Sequence, residues 1–220
     1  MNTKKVQVKA RCDMLTIDSI EKLGDKSGKY LVRFDDEETE MVLTSTQIAD
    51  LAIFPGMEFT HEEFIELTRE IEQNASKARA LKTIGSRTLS SKEIQKRMVA
   101  KGDSAEIASQ TTQWLEEIGL VNDEEYAKSI VRHYTKKGYG NARIKQELFK
   151  RGIERDFWDD AMEESDGMED AAYAFVEKKL RSGSDESEIR KTIDAMRRRG
   201  YSYDEARAAI NRYLEENPQD

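Results

Sequence analysis

Cysteine and histidine are nearly missing from this chain. The single cysteine in 220 residues, Cys12, cannot close an internal disulfide, which points to a cytoplasmic protein. No histidine neighbours Cys12 to make a thiolate nucleophile of it, so a packing role is expected. The two histidines, His61 and His133, lie far apart, whereas a metal site needs three or four ligands, usually closely spaced. Structural or solvated roles are expected for both, and no metal. No run approaches the roughly 20 apolar residues of a membrane span. The first residues, MNTKKVQVKARCDM, lack the apolar core of a signal peptide. Neither GxxxxGK[ST] nor GxGxxG occurs, so no nucleotide or other cofactor is expected. Carboxylates are plentiful, but they fall at helix starts and on solvated faces, and nothing pairs them into an acid/base site. Hydrophobic residues make up only 37% and charged residues 36%, the latter against about 25% in an average globular domain. That balance suits an elongated helical array rather than a compact enzyme with a deep pocket. No catalytic residue is expected.

What the chain does contain is a repeat. Residues 136–153, KKGYGNARIKQELFKRGI, sit inside a helical unit with a counterpart on either side. Each unit has a helix, a polar break, a middle helix ending in a basic residue and glycine, a short link and a third helix. The middle helices are SKEIQKRMVAKG, NARIKQELFKRG and SEIRKTIDAMRRRG, closing at Gly102, Gly152 and Gly200, 50 and 48 residues apart. A period near this length reads as stacked supersecondary units that present surface to a large partner. The glycines suit a left-handed position after each helix, and Lys101, Arg151 and Arg199 just before them oppose the negative helix end.

The predicted fold class is mainly α: tandem three-helix repeats in a curved, solenoid-like array, preceded by a small β-rich module over residues 1–60. Strands are expected at 14–23, 29–35 and 40–43. Tyr30, Val32 and Phe34 alternate there with Leu31 and Arg33, which fits a sheet with both faces partly covered. Turns are expected at 24–28 and 35–38 and a short helix over 44–53, ended by Phe54-Pro55-Gly56. A connecting helix fills 61–74 and runs on to about Ile84. The repeats follow at 75–121, 122–165 and 166–220. Helix starts are marked by a capping residue three before a glutamate: Thr60/Glu63, Ser90/Glu93, Asp103/Glu106, Asn122/Glu125, Asp185/Glu188 and Ser202/Glu205. Apolar stripes follow each start. Trp114, Phe157 and Trp158 fall on them and are expected in the core.

The net charge of −8 is uneven: −7 over residues 1–74, +3 over 75–121, −1 over 122–165 and −3 over 166–220. Avid, sequence-independent DNA binding by the whole chain is therefore disfavoured, because phosphate neutralisation needs a cationic footprint. A local basic face on the repeats remains open. Lys136, Lys137, Arg143, Lys145, Lys150 and Arg151 crowd one unit, with Arg143 and Lys150 seven apart on one helix face. Arg197, Arg198 and Arg199 form the densest basic run. These groups either complement helix C-termini and keep the chain soluble, or line up as a stripe for an acidic partner or a nucleic-acid backbone. Tyr139, between two glycines, is either a cap over the helix junction or an aromatic contact.

Four segments carry a family resemblance: ALKTIGSRTLSSKEIQKRMVAKG (80–102), WLEEIGLVNDEEYAKSIV (114–131), HYTKKGYGNARIKQELFKRGI (133–153) and AMRRRGYSYDEARAAI (195–210). Their order, their spacing and the KGYG…I..EL..KGI pattern resemble the RecX family of bacterial recombination regulators over about residues 75–217. The first sixty residues lie outside the shared region, although longer members carry such an extension, and residues 166–188 are less typical. The resemblance implies a non-enzymatic modulator of the RecA recombinase that acts in DNA repair and the SOS response. Such a protein binds the RecA–DNA filament along its groove and blocks its extension or promotes its disassembly, suppressing ATP hydrolysis and strand exchange. It further implies a cytoplasmic monomer with at most weak direct DNA contact and no membrane partner. The contacts expected on this reading are Lys136, Lys137, Tyr139, Arg143, Lys145, Lys150, Arg151, Arg197, Arg198 and Arg199. The competing readings are a directly DNA-binding trihelical protein and a generic helical scaffold.

Overall fold

A computed structural model describes residues 14–24, 28–36, 38–85, 87–181 and 185–218, so Cys12 lies outside the described residues. The chain divides into two compact units, the first ending at Arg79 and the second spanning Ala80–Asp220.

The first unit is a four-stranded antiparallel sheet in the order β3-β2-β1-β4, formed by β1 (Met14–Lys22), β2 (Lys29–Phe34), β3 (Glu40–Thr44) and β4 (Glu58–Thr60). Alternation along the strands sends Leu15, Ile17, Val32, Phe34, Met41 and Leu43 to one packed face. Phe34 meets Phe64 edge-on, with ring centroids 5.1 Å apart. The other face is solvated: Arg33 pairs there with Glu21 at 2.8 Å and Glu40 at 3.1 Å. β4, with one inward residue, Phe59, was not expected from the sequence; it adds to the edge of β1 opposite Met14, Leu15 and Thr16. The expected short helix is α1 (Ser45–Asp50), capped by Thr44.

Helix α2 (His61–Ile84) starts at the anticipated box: Thr60 N–H donates to Glu63 Oε2 at 2.8 Å, and Glu63 N–H donates to Thr60 Oγ1 at 3.2 Å. It runs unbroken to Ile84, and the boundary between the units falls within it.

The second unit holds three three-helix groups. The first combines the end of α2 with α3 (Ser91–Ala100) and α4 (Ala105–Glu117). The second has α5 (Asp123–Lys136), α6 (Asn141–Lys150) and a 3-10 turn leading into α7 (Trp158–Met162). The third has α8 (Met168–Glu177), α9 (Glu186–Arg198) and α10 (Tyr203–Glu216). Each has its own core: around Ile94, Met98 and Leu115; around Ile130, Ile144 and Leu148; and around Val176, Met196 and Ile210. Trp114 and Trp158 are half-buried against these cores, and the Trp158 indole N–H donates to Ile153 O at 3.1 Å.

The three middle helices α3, α6 and α9 end alike. After α6, Gly152 N–H donates to Phe149 O (2.9 Å) and Ile153 N–H donates to Leu148 O (3.1 Å), with Gly152 at φ 72°. That is the Schellman pattern, which needs the left-handed conformation glycine adopts without strain. Gly102 and Gly200 repeat it. Full capping boxes form at Ser90 and Ser202, and one-sided caps at Asn122 and Asp185. Asp103 does not cap α4. Its N–H donates to Met98 O in closing α3, and the cap is the next residue, Ser104, whose hydroxyl accepts from Ile107 N–H at 3.2 Å.

Candidate partner interface

The middle helices meet end to end. At the junction of the second and third repeats, Gly140 N–H donates to Arg199 O and Ala142 N–H to Gly200 O, each at 3.0 Å. Helix α6 has no side-chain cap. The carbonyls that α9 leaves free at its C-terminus satisfy the orphan N–H groups of α6 instead, so two helix ends solve each other's deficit. The approach is close enough that a Cβ on Gly140 would collide with the backbone of Gly200 and Tyr201, and one on Gly200 with the backbone of Arg143. At the junction of the first and second repeats, the Ser90 hydroxyl at the start of α3 donates to Arg151 O at the end of α6, and a Cβ on Gly152 would come within 2.6 Å of Lys92 Cβ. The C-terminus of α9 thus abuts α6, and that of α6 abuts α3.

This arrangement sorts the expected contact residues into two groups. Arg199 is half-buried: its guanidinium donates to Lys137 O (3.3 Å) and Gly138 O (3.2 Å) and lies over the rings of Tyr139 (5.3 Å) and Phe175 (4.7 Å). Tyr139, itself half-buried, packs on Tyr134 with centroids 5.5 Å apart and so covers the helix junction. Arg151 is half-buried over the Tyr126 ring and donates to its hydroxyl. Arg143 holds the buried Glu147 carboxylate at 3.1 Å. Arg199 therefore ties the third repeat to the second through Lys137, Gly138 and Tyr139, Arg151 packs within the second repeat, and Arg143 pairs within α6 while staying exposed. Lys136, Lys137, Lys145, Lys150, Arg197 and Arg198 are exposed, although Lys137 leans over Tyr134 at 5.9 Å.

Two features lay outside the sequence reading. Phe149 is 71% exposed on α6, between Lys145 and Lys150; its place off the Ile144/Leu148 stripe was the available signal. Tyr201, 4% exposed, buries a hydroxyl with no partner at the second junction, and burial pushes it up to about 12. At the first junction, Ser91 N–H donates to Asp123 Oδ1 at 2.9 Å and the Ser91 hydroxyl donates to Glu116. Burial, then the nearby Glu116 and Glu154, raises the Asp123 carboxyl against the pull of the Ser91 N–H. Both histidines are exposed. Among the described residues, no group of three or more His, Cys, Asp or Glu could hold a metal ion, and no helix is long and apolar enough to cross a membrane.

Family models match the second three-helix domain of RecX over residues 122–162 and the third over 168–210. A Regulatory protein RecX from Vibrio parahaemolyticus is 30% identical over 147 residues, covering 65% of this chain and 94% of the relative. The chain belongs to the RecX family. A RecX from Caldanaerobacter subterraneus subsp. tengcongensis is 29% identical over 190 residues, 85% of this chain and 94% of the relative. A match that long takes in part of the first sixty residues, so the N-terminal module is not wholly outside what RecX proteins share. Two solved RecX structures have the same fold. One matches with a TM-score of 0.68 at 19% identity over 90% of this chain and 99% of its own; RecX from Lactobacillus salivarius matches with 0.60 at 22% over 64% and 96%.

Proposed function

We propose that this RecX-family chain is a non-catalytic, cytoplasmic regulator of homologous recombination that binds the RecA–DNA filament as a monomer. It limits filament growth, ATP hydrolysis and strand exchange by occlusion: repeats laid along the filament span neighbouring RecA subunits and obstruct their exchange. The observation that carries this reading is the end-to-end row of α3, α6 and α9, joined by backbone hydrogen bonds at one junction, with exposed cations along it. A row of that kind matches a partner that is itself a repeating array with acidic surface. Lys136, Lys137, Arg143, Lys145, Lys150, Arg197 and Arg198 are the contacts, while Arg199 and Tyr139 hold the second junction and Arg151 packs within the second repeat.

The test is RecA's DNA-dependent ATP hydrolysis on single-stranded DNA with this protein titrated in. Loss of activity well below one protein per RecA supports capping or disassembly; unchanged activity at excess rejects the reading. The second reading, direct docking on DNA by trihelical units, draws on the same exposed cations. It predicts binding to bare DNA that falls steeply with salt.

A further inference from the structure

Helix α6 presents to solvent Ala142, Arg143, Lys145, Gln146, Phe149 and Lys150. Its one acidic residue, Glu147, is buried and paired with Arg143, so the exposed face has cations and no exposed carboxylate of its own. Near the C-terminal end of this face stands Phe149, the most exposed large apolar side chain among the described residues. A lone exposed apolar group is ordinary, but two further facts set this one apart. The position three before the closing glycine recurs in each middle helix, and its occupants Val99, Phe149 and Arg197 are all exposed. Phe149 also sits on the central helix of the row, where a partner laid along it would cover the side chain most completely.

Taking the RecA filament as partner, as the reading above does, we propose that Phe149 is the anchor of the interface. It enters an apolar pocket on an acidic protein surface of the filament, while Lys145 and Lys150 pair with carboxylates around the pocket's rim. An aromatic anchor in a desolvated pocket, ringed by charge that guides approach, is how binding energy concentrates in protein interfaces. A nucleic-acid strand fits the face less well. Single-strand platforms stack successive bases on several aromatics, whereas α3 and α9 contribute none, and the chain carries a net charge of −8.

The experiment compares the full chain with Phe149→Ala and Phe149→Leu, and with Phe54→Ala as a control at an exposed site of the first unit. Binding is measured to a labelled oligonucleotide coated with RecA and, separately, to the bare oligonucleotide. Phe149→Ala is expected to bind the coated strand at least about tenfold more weakly. Phe149→Leu should recover most of that loss, Phe54→Ala should match the unaltered chain, and bare-strand binding should not change. If Phe149→Ala holds the coated strand within twofold of the unaltered chain, the anchor is wrong while the filament reading stands. A parallel loss on bare strand makes Phe149 a nucleic-acid contact and overturns the proposal. Failure of the unaltered chain to bind the coated strand overturns both.

Discussion

Replacing Gly140 by alanine tests the end-to-end junction without disturbing anything else. The backbone there has φ −83° and ψ 169°, a conformation any residue adopts, so alanine brings no dihedral strain. In an open site the change would stabilise by about 0.4–1 kcal/mol, through a less flexible unfolded chain. Here the new methyl meets the backbone of Gly200 and Tyr201, which no side-chain rotation can relieve. The repeats must separate, and four hydrogen bonds are exposed: those from Gly140 and Ala142 N–H to α9, and those from Arg199 to Lys137 O and Gly138 O. At about 0.5–1.5 kcal/mol each, partly recovered by water, and after the unfolded-state gain, the net loss is about 2–4 kcal/mol. That corresponds to a melting midpoint lower by about 4–16 °C for a protein of this size. The assay is urea and thermal unfolding followed by helical circular dichroism. Gly102→Ala serves as a comparison: its φ is 103° but nothing lies near a Cβ there, so it reports the left-handed strain alone. If Gly140→Ala is as stable as the unaltered chain, the junction geometry argued above is wrong.

Three further outcomes follow from the same structure. Arg199→Ala should destabilise by about 1–3 kcal/mol through the loss of charged hydrogen bonds and two ring contacts, whereas Arg197→Ala and Arg198→Ala should stay within about 0.5 kcal/mol; equal urea midpoints for all three would refute the sorting into junction and surface. Reversing Lys137, Lys145, Lys150, Arg197 and Arg198 together to glutamate should abolish inhibition of RecA ATP hydrolysis while leaving the helical signal intact, and full inhibition by that variant would remove these residues from the interface. Tyr201 is raised to about 12 in the folded chain against about 10 when unfolded, so its contribution is complete below pH 10 and is lost as pH climbs through 12. Tyr201→Phe should therefore be at least as stable at pH 7 and lose less stability between pH 10 and 12; alkaline melting curves that fall in parallel for both proteins would contradict this.

The sequence by itself determined most of what closes within a helical turn or two. A Ser or Thr three residues before Glu or Gln makes a box wherever it falls, and a glycine after an apolar stripe makes a Schellman end, because donors and acceptors lie within six residues of one another. The three repeats, the unbroken α2 and the strands β1 to β3 were legible for that reason, and the motif order carried the family. Asp103 was misread because two capping residues stand side by side there: Asp103 closes the Schellman end of α3 and Ser104 caps α4. β4 was missed because three residues with one inward side chain leave no periodicity. Only the tertiary structure decided which basic residues pack at the junctions and which stay in water. Arg199 and Gly138 are 61 residues apart, as are Ser90 and Arg151, and no local pattern encodes which helix end meets which. Of three adjacent arginines, Arg199 turns inward under the aromatic rings because Gly200 brings the next repeat into backbone contact, while Arg197 and Arg198 stay in water. The exposure of Phe149 was settled the same way: its helix buries Ile144 and Leu148 in one core and joins its neighbours by its ends, which leaves that side chain largely in solvent.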